Sequence, residues 1–163
     1  MSTQSSAELV IRPALTSDID AIFSLIDLYT GNGVVLKRNK DDIAFYLANF
    51  IVAERGGTVC GCCAARDFSH DLLEVRSLVV APACQGQGIG KKLVTYIIEK
   101  LQRERNEWRL FTLTLQVKFF QSLGFAIVEK ESFPEKIWSD CSKCPKFNCC
   151  DETALLLNST DRR

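Results

Sequence analysis

A glycine-rich stretch from Gln85 to Lys91 has residue types and spacing that suit binding of a phosphate or pyrophosphate group. Gly86, Gly88 and Gly90 let the backbone approach a ligand closely. The residues that follow repeat apolar side chains at helical spacing, so the stretch leads into the first turn of a helix. Because the N–H groups of a first helical turn lack partners within the helix, and the helix dipole is positive there, the sequence predicts an anion site.

The residues before the glycines indicate which element positions this stretch. Leu78–Val80 is an apolar run typical of a buried strand, and Pro82 has no N–H group to donate to a sheet, so the strand ends there. A P-loop would need glycine in place of Gln85 and serine or threonine in place of Lys92, and a dinucleotide-binding loop would need another glycine spacing. A flexible glycine turn without a ligand is the remaining alternative.

The rest of the chain alternates short strands with amphipathic helices, which predicts one α/β domain over residues 1–163. Residues 1–7 are expected to form a loose tail, residues 131–151 a cysteine-rich extension, and no linker separates domains. The predicted strands are Glu8–Arg12, Phe50–Glu54, Val59–Ala65, Leu72–Val80, Leu110–Thr114 and Phe125–Val128, and the predicted helices are Ile19–Tyr29, Lys40–Leu47, one from Ile89, and Val117–Leu123.

Composition excludes several classes of protein. The 163 residues carry 20 basic and 20 acidic side chains, a balance that gives no reason to expect a nucleic-acid or acidic membrane partner. No apolar segment is long enough to span a membrane, and the polar start lacks the apolar region of a signal peptide. We therefore expect a cytoplasmic protein, in which the eight cysteines are mostly thiols.

The glycine-rich stretch resembles the acetyl-CoA loop of the GNAT acetyltransferases, whose Q/R-x-x-G-x-G/A pattern is filled by Gln85, Gly88 and Gly90. The segment Phe119–Phe125 resembles the F-Y-x-x-x-G-F segment of the same superfamily, and the match covers about positions 8 to 130. The resemblance implies a mixed, mostly antiparallel sheet that splays where acetyl-CoA enters, flanked by helices. The residues that it assigns to cofactor binding are Leu78, Val79, Val80, Gln85, Gly86, Gln87, Gly88, Ile89, Gly90, Lys91 and Phe120.

Within this superfamily, the chain is most similar to the short amino-acid N-acetyltransferases of the N-acetylglutamate synthase type. The segments that carry this similarity are Gly33–Arg38, Glu74–Val80, Leu110–Thr114 and Ile137–Glu152. The similarity implies transfer of acetyl from acetyl-CoA to the α-amine of a small amino acid, with L-glutamate in arginine biosynthesis as the first expectation. It leaves a homodimer open.

The same resemblance implies roles for five polar residues. Glu74 would deprotonate the substrate amine. The amino acid would be bound by Arg38, Arg76, Ser77 and Thr114, with the planar guanidinium groups of the two arginines holding its carboxylates. The alternative for Glu74 is an ordinary carboxylate at the end of a strand, in solvent, and the arginines could equally be solvated surface residues.

One position departs from the superfamily pattern, because Phe120 stands where the usual tyrosine would protonate the leaving thiolate. Water or another group must then supply that proton. Leu115–Val117 are mostly neutral where glutamate-specific enzymes often have polar or basic residues, so glutamine or another amino acid stays open as acceptor. Two further alternatives are a GNAT enzyme for another small amine or a protein amine, and a non-catalytic acetyl-CoA or metal-responsive sensor.

The cysteines near the end of the chain offer a second chemistry. Three or four thiolates within ten residues could hold a tetrahedral zinc ion, and the candidates are Cys141, Cys144, Cys149 and Cys150. The competing interpretation is a reduced cysteine-rich loop that packs Trp138 and Phe147 over the substrate. The single CxxC pair therefore leaves a zinc site and a packed loop both open.

Overall fold

The computed structural model describes residues 7–30, 38–68, 71–130 and 152–162. Its strands are β1 (Leu9–Pro13), β2 (Phe50–Arg55), β3 (Thr58–Asp67), β4 (Leu72–Val80), β5 (Arg109–Thr114), β6 (Ala126–Val128) and β7 (Thr153–Asn158). Its α-helices are α1 (Ile19–Thr30), α2 (Lys40–Phe45), α3 (Ile89–Glu104) and α4 (Val117–Ser122). Within the described ranges, no helix combines the length and the apolar character that crossing a membrane requires.

The seven described strands form one mixed sheet in the order β1-β2-β3-β4-β5-β7-β6. The pairs β1–β2, β2–β3, β5–β7 and β6–β7 are antiparallel, and β4–β5 is parallel. The parallel ladder joins Leu72–Glu74 to Arg109–Phe111, while β4 itself continues to Val80. Glu74 is therefore the last residue of β4 in that ladder, and the pairing agrees with the mixed, mostly antiparallel sheet predicted from the sequence.

The chain folds into two compact units. The first contains Met1–Ala64 and Ser77–Ile98, and the second contains Ala65–Arg76 and Glu99–Arg163. In the first unit, α1 and α2 pack their apolar faces on β2 and β3. The fully buried side chains of that cluster include Ile22, Ile26, Ile43, Phe50 and Val52. In the second unit, Leu72, Phe111 and Ala154 form a smaller buried cluster.

A charged network fixes the connection from β1 to α1. Arg12 donates two hydrogen bonds to the Asp18 carboxylate, at 2.7 and 3.1 Å, and a third to Glu54 at 2.7 Å. Asp18 also accepts the Leu15 N–H at 2.7 Å, which closes the turn before α1. Hydrogen bonding to Arg12 holds the pKa of Asp18 below its usual range.

Most predicted elements are present, and one was missed. β4 has the predicted bounds Leu72–Val80, and α3 begins at Ile89 as the periodicity indicates. Strand β7, between β5 and β6 in the sheet, was not predicted. Its Ala154–Leu157 run is apolar without alternation, which is the pattern of a strand buried on both faces. The predicted tail 1–7 and extension 131–151 fall largely outside the described residues.

Candidate active site

The glycine-rich stretch forms an exposed loop between β4 and α3. Gly86 and Gly88 have φ angles of 78° and 77°, which side chains with a Cβ rarely adopt, and nothing lies within 4 Å of where a Cβ would stand. Gln87 and Lys91 are exposed, and the Ile89 side chain is buried, so only the backbone of Ile89 can face a ligand. The loop is open to an incoming group and leads directly into the N-terminus of α3.

The first turn of α3 packs tightly against β3. A Cβ added at Gly61 would lie 3.2 Å from a side-chain carbon of Ile89 and 3.2 Å from the Val79 carbonyl oxygen. A side chain at position 61 would therefore push α3 away from the sheet. Gly61 thus sets the position of the helix N-terminus on which the predicted anion site depends.

A tyrosine that the sequence did not single out organises the start of this loop. The Tyr29 hydroxyl of α1 donates to the Val80 carbonyl oxygen at 2.8 Å and accepts from the Gln85 side-chain amide at 2.7 Å. The same amide lies 3.4 Å from the Val80 carbonyl oxygen. Gln85 was predicted to contact the cofactor, and in this structure its side chain fastens the loop to α1 and to the end of β4.

A second side chain reaches the loop from β2. Arg55 Nη1 donates to Gln87 Oε1 at 2.6 Å. The Arg55 Nε atom is buried and has no hydrogen-bond partner among the described residues. Burial raises the pKa of Cys60, and the Arg55 guanidinium partly opposes that rise, so its positive charge lies near both the loop and that cysteine. The loop is thus held by side chains from α1 and from β2.

Two charged residues of β4, in the second unit, are paired with each other. Glu74 is 3% exposed, and its Oε1 atom lies 3.5 Å from Arg76 Nε, whose side chain is 14% exposed. The two residues are two apart on the strand, so they emerge on the same face. Glu74 is therefore a buried, ion-paired carboxylate and not a strand-end carboxylate in solvent.

Ser77 interrupts the regular backbone of β4. Its φ angle of 54° lies in the left-handed region, the one described non-glycine residue with a positive φ. Such conformations in a non-glycine residue are uncommon and are retained where the surroundings enforce them. The Ser77 carbonyl oxygen accepts a hydrogen bond from the Cys62 thiol at 3.5 Å. Beyond this point, Val79 is buried, while Leu78 and Val80 are half-buried.

Other predicted residues have structural partners. The Thr114 hydroxyl accepts the Gln116 N–H at 2.9 Å and so shapes the turn into α4. Phe120 is buried and packs edge-to-face on Phe119 and Phe125, with ring centroids 5.0 and 5.2 Å apart. Phe120 thus fills a packed aromatic cluster in the second unit.

Arg38 is half-buried and directly precedes Asn39, whose side chain caps α2 by accepting the Asp42 N–H at 2.8 Å. The zinc candidates Cys141, Cys144, Cys149 and Cys150 lie outside the described residues. No cluster of three or more potential metal ligands occurs in the part of the chain that the structure describes.

Comparison with known proteins gives a consistent result. A family model described as an acetyltransferase (GNAT) domain matches residues 31–127. The chain is 39% identical to an uncharacterized N-acetyltransferase of Chlorobaculum tepidum, covering 93% of this chain and 97% of that protein. It is 37% identical to the amino-acid acetyltransferase of Mycobacterium tuberculosis, covering 74% of this chain and 70% of the other.

A solved structure is similar over nearly the whole chain. The N-acetylglutamate synthase of Neisseria gonorrhoeae, complexed with coenzyme A and N-acetyl-glutamate, superposes with a TM-score of 0.82 at 28% identity. The match covers 94% of this chain and 36% of the synthase chain. This chain therefore corresponds to about a third of that synthase.

Proposed function

The chain belongs to the GNAT family of acetyltransferases, and we propose that it transfers acetyl from acetyl-CoA to the α-amine of L-glutamate. As a member of the family it is an acyltransferase, and its mixed seven-stranded sheet flanked by helices is the GNAT fold that the sequence predicted. The names of its relatives support an amino acid as acceptor, and the ligands of the Neisseria synthase support coenzyme A and glutamate. The product would serve arginine biosynthesis in the cytoplasm.

The glycine loop is the proposed site of the acetyl-CoA pyrophosphate. The amides of Gly86, Gln87 and Gly88 donate no hydrogen bond to other described residues, so they are open to phosphate oxygens. The N-terminus of α3 adds its positive dipole, and Lys91 in the first turn adds a full positive charge. Tyr29 and Arg55 would hold the loop ready through Gln85 and Gln87, which lowers the ordering cost of binding.

The Glu74–Arg76 pair is the observation that carries the choice of an amino acid. An amino acid carries an ammonium group and a carboxylate two bonds apart. A buried carboxylate and a half-buried guanidinium 3.5 Å apart offer charges complementary to both groups. In this proposal, the substrate carboxylate binds the Arg76 guanidinium while the ammonium faces Glu74, so each charge of the pair has an opposite charge beside it.

Glu74 then acts as the general base. It takes a proton from the ammonium group, directly or through one water, and the neutral amine attacks the thioester carbonyl carbon. Backbone N–H groups near Val79 and Val80 would polarise the carbonyl oxygen. The attacking nitrogen then loses its second proton to water, and collapse of the tetrahedral intermediate leaves the neutral amide and releases the thiolate of CoA. Since the phenyl ring of Phe120 has no proton to give, the thiolate is protonated from water in this mechanism.

The test is mass-spectrometric detection of acetylated product after incubation of the purified chain with acetyl-CoA and each of the twenty amino acids. Thiol dyes are avoided because the eight cysteines of the chain would add to the signal. Acetylglutamate as the dominant product supports the proposal. A different acetylated amino acid contradicts the choice of glutamate, and no acetylated amino acid contradicts the acceptor class.

Two variants separate the assigned roles. Glu74→Gln keeps the shape of the side chain and removes the base, so kcat should fall by roughly a hundredfold or more while CoA binding is retained. Arg76→Met should raise KM for the amino acid more than KM for acetyl-CoA. Arg103→Met, on the exposed side of α3, is the matched control for loss of an arginine. Equal effects of the two Met variants would contradict the role of Arg76.

A further inference from the structure

Two cysteines meet beneath the start of the glycine loop, and the proposed reaction uses neither. Cys60 lies in β3 and is 3% exposed, while Cys84 is half-buried at the end of the Pro82–Cys84 turn. Cys84 lies close to Cys60, whose pKa is raised first by burial and then by the Cys84 thiol, and both cysteines are free. The Cys60 thiol donates to the Ala53 carbonyl oxygen at 3.3 Å. We propose that Cys60 and Cys84 are a site of reversible disulfide formation that ties the turn before the glycine loop to β3.

The backbone brings these two residues together independently of their side chains. The Ala81 N–H donates to the Cys60 carbonyl oxygen at 2.8 Å, so the end of β4 is fastened beside Cys60. The turn then folds back, because the Cys84 N–H donates to the Ala81 carbonyl oxygen at 2.8 Å. These two hydrogen bonds hold Cys84 beside Cys60 through Ala81, and disulfide formation then requires the two sulfurs to approach to about 2 Å.

The two thiols differ in their exposure to solvent, and this difference predicts which of them reacts first with an oxidant. Burial, and then the adjacent Cys84 thiol, raise the pKa of Cys60, so Cys60 stays protonated until its partner reacts. Cys84 is the half-exposed thiol of the pair and the one that a dissolved oxidant meets first. The Arg55 guanidinium opposes the rise in the Cys60 pKa, and it would stabilise the thiolate in the second step.

The reaction balances with a low-molecular-weight disulfide as oxidant. The Cys84 thiolate attacks one sulfur of the small disulfide and expels one small thiolate, which gives a mixed disulfide. The Cys60 sulfur then attacks Cys84 Sγ and expels the second small thiolate. Two protein thiols are oxidised, one small disulfide is reduced to two thiols, and the two protein protons pass to them.

The neighbouring cysteines of β3 provide the internal contrast. Cys62 and Cys63 are fully buried, and burial raises the pKa of Cys62 to about 12. Burial also raises the pKa of Cys63 well above its ordinary value. Both thiols therefore stay protonated and shielded from a dissolved oxidant. Among the described cysteines, oxidation should select the Cys60–Cys84 pair.

A disulfide here would act on the loop through Gln85, which follows Cys84 directly. Drawing Cys84 toward β3 shifts Gln85 and strains its 2.7 Å hydrogen bond to Tyr29. This consequence rests on the proposed function of the loop, while the disulfide does not. Loss of one such bond predicts a KM for acetyl-CoA about fivefold higher in the oxidised protein, with kcat unchanged.

The experiment treats the native full-length chain with oxidised glutathione, blocks the remaining thiols, digests with trypsin and sequences the linked peptides by mass spectrometry. Cleavage at Arg55, Arg66, Arg76 and Lys91 places the two cysteines on peptides 56–66 and 77–91. The expected product joins these peptides through Cys60 and Cys84 and is reversed by a reducing agent. Fragmentation distinguishes Cys60 from Cys62 and Cys63 on the shared peptide.

Variants keep the result interpretable. Cys84→Ser should fold, should abolish the link and should make KM for acetyl-CoA insensitive to the oxidant, whereas Cys63→Ala should behave as the wild type. A Cys84 that is found only as a glutathione adduct, or linked to Cys62, overturns the pairing. A link that leaves KM for acetyl-CoA unchanged overturns the action on the loop. If the link forms in a chain that acetylates no amino acid, the proposed function fails and the disulfide site stands.

Discussion

Replacing Tyr29 with phenylalanine removes one hydroxyl that holds both the end of β4 and the first residue of the glycine loop. The hydroxyl makes hydrogen bonds of 2.8 Å to the Val80 carbonyl oxygen and 2.7 Å to the Gln85 amide. A net contribution of about 1 kcal/mol per bond sets an upper bound of about 2 kcal/mol. Gln85 is exposed and can turn to water, and its amide already lies 3.4 Å from the Val80 carbonyl oxygen. We therefore expect a loss of about 1 kcal/mol.

That free energy can be measured in two ways. For a chain of 163 residues, a loss of about 1 kcal/mol lowers the melting temperature by about 3 °C. If the hydroxyl preorganises the loop, the same loss weakens equilibrium binding of CoA by about fivefold, with kcat unchanged. Thermal denaturation and isothermal titration calorimetry with CoA measure the two quantities on the same sample.

Tyr96→Phe is the matched control. Tyr96 is half-buried on α3, and its hydroxyl makes no hydrogen bond to any described residue, so its removal should change neither quantity. Gln85→Ala should weaken CoA binding like Tyr29→Phe, and the double variant should lose less than the sum of the two. The reasoning is refuted if Tyr29→Phe binds CoA like the wild type, or if Tyr96→Phe weakens binding equally.

Three further substitutions test parts of the framework, each followed by chemical or thermal denaturation. Asp18→Asn should lower the free energy of unfolding by about 2 kcal/mol at neutral pH, because Arg12 loses one of its two carboxylate partners. Since Arg12 lowers the pKa of Asp18, this contribution is fully present above about pH 4 and is lost as the pH falls through the folded-state pKa. The gap between wild type and Asp18→Asn should therefore shrink in acid, and a constant gap would contradict the ion pair. Ser77→Gly should change the free energy of unfolding by less than about 0.5 kcal/mol, because relief of backbone strain offsets the added entropy of the unfolded chain. Ser77→Val should lower it by more than about 1 kcal/mol. Equal free energies of unfolding for the two variants would argue against the φ of 54°. Gly61→Ala should lower the free energy of unfolding by about 2 kcal/mol, since the new Cβ would lie 3.2 Å from atoms of β4 and α3. An unchanged melting temperature would show that α3 can move away without loss of stability.

Most of the fold could be predicted from local patterns in the sequence. Alternating and helical periods were enough to place β4 and the start of α3, and the glycines with Pro82 marked the loop between them. Strand β7 was not predicted, because an apolar run without alternation fits a buried strand or a helix equally well. Only its place between β5 and β6 explains why every position of that run is apolar.

The site was predicted less completely than the fold, because its contacts join distant positions. Nothing near Tyr29 indicates that its hydroxyl meets Val80 and Gln85, more than fifty residues later. Serine is not a residue that signals a left-handed backbone, so the conformation of Ser77 had no sequence marker. The spacing of Glu74 and Arg76 is that of two residues on one face of a strand, but the burial of Glu74 beside Arg76 required the structure.

The unused amides of the glycine loop also give it an isotopic signature. The Ala81 N–H is bonded to Cys60, whereas the N–H groups of Gly86 to Gly88 meet no acceptor among the described residues. In heavy water the loop amides should take up deuterium within the shortest labelling time, whereas the Ala81 N–H should exchange only when the sheet opens locally. A phosphate group seated on the loop would occupy the same N–H groups and delay their labelling. Hydrogen exchange at positions 86–88 would therefore register occupancy of the loop even where no acetyl group is transferred.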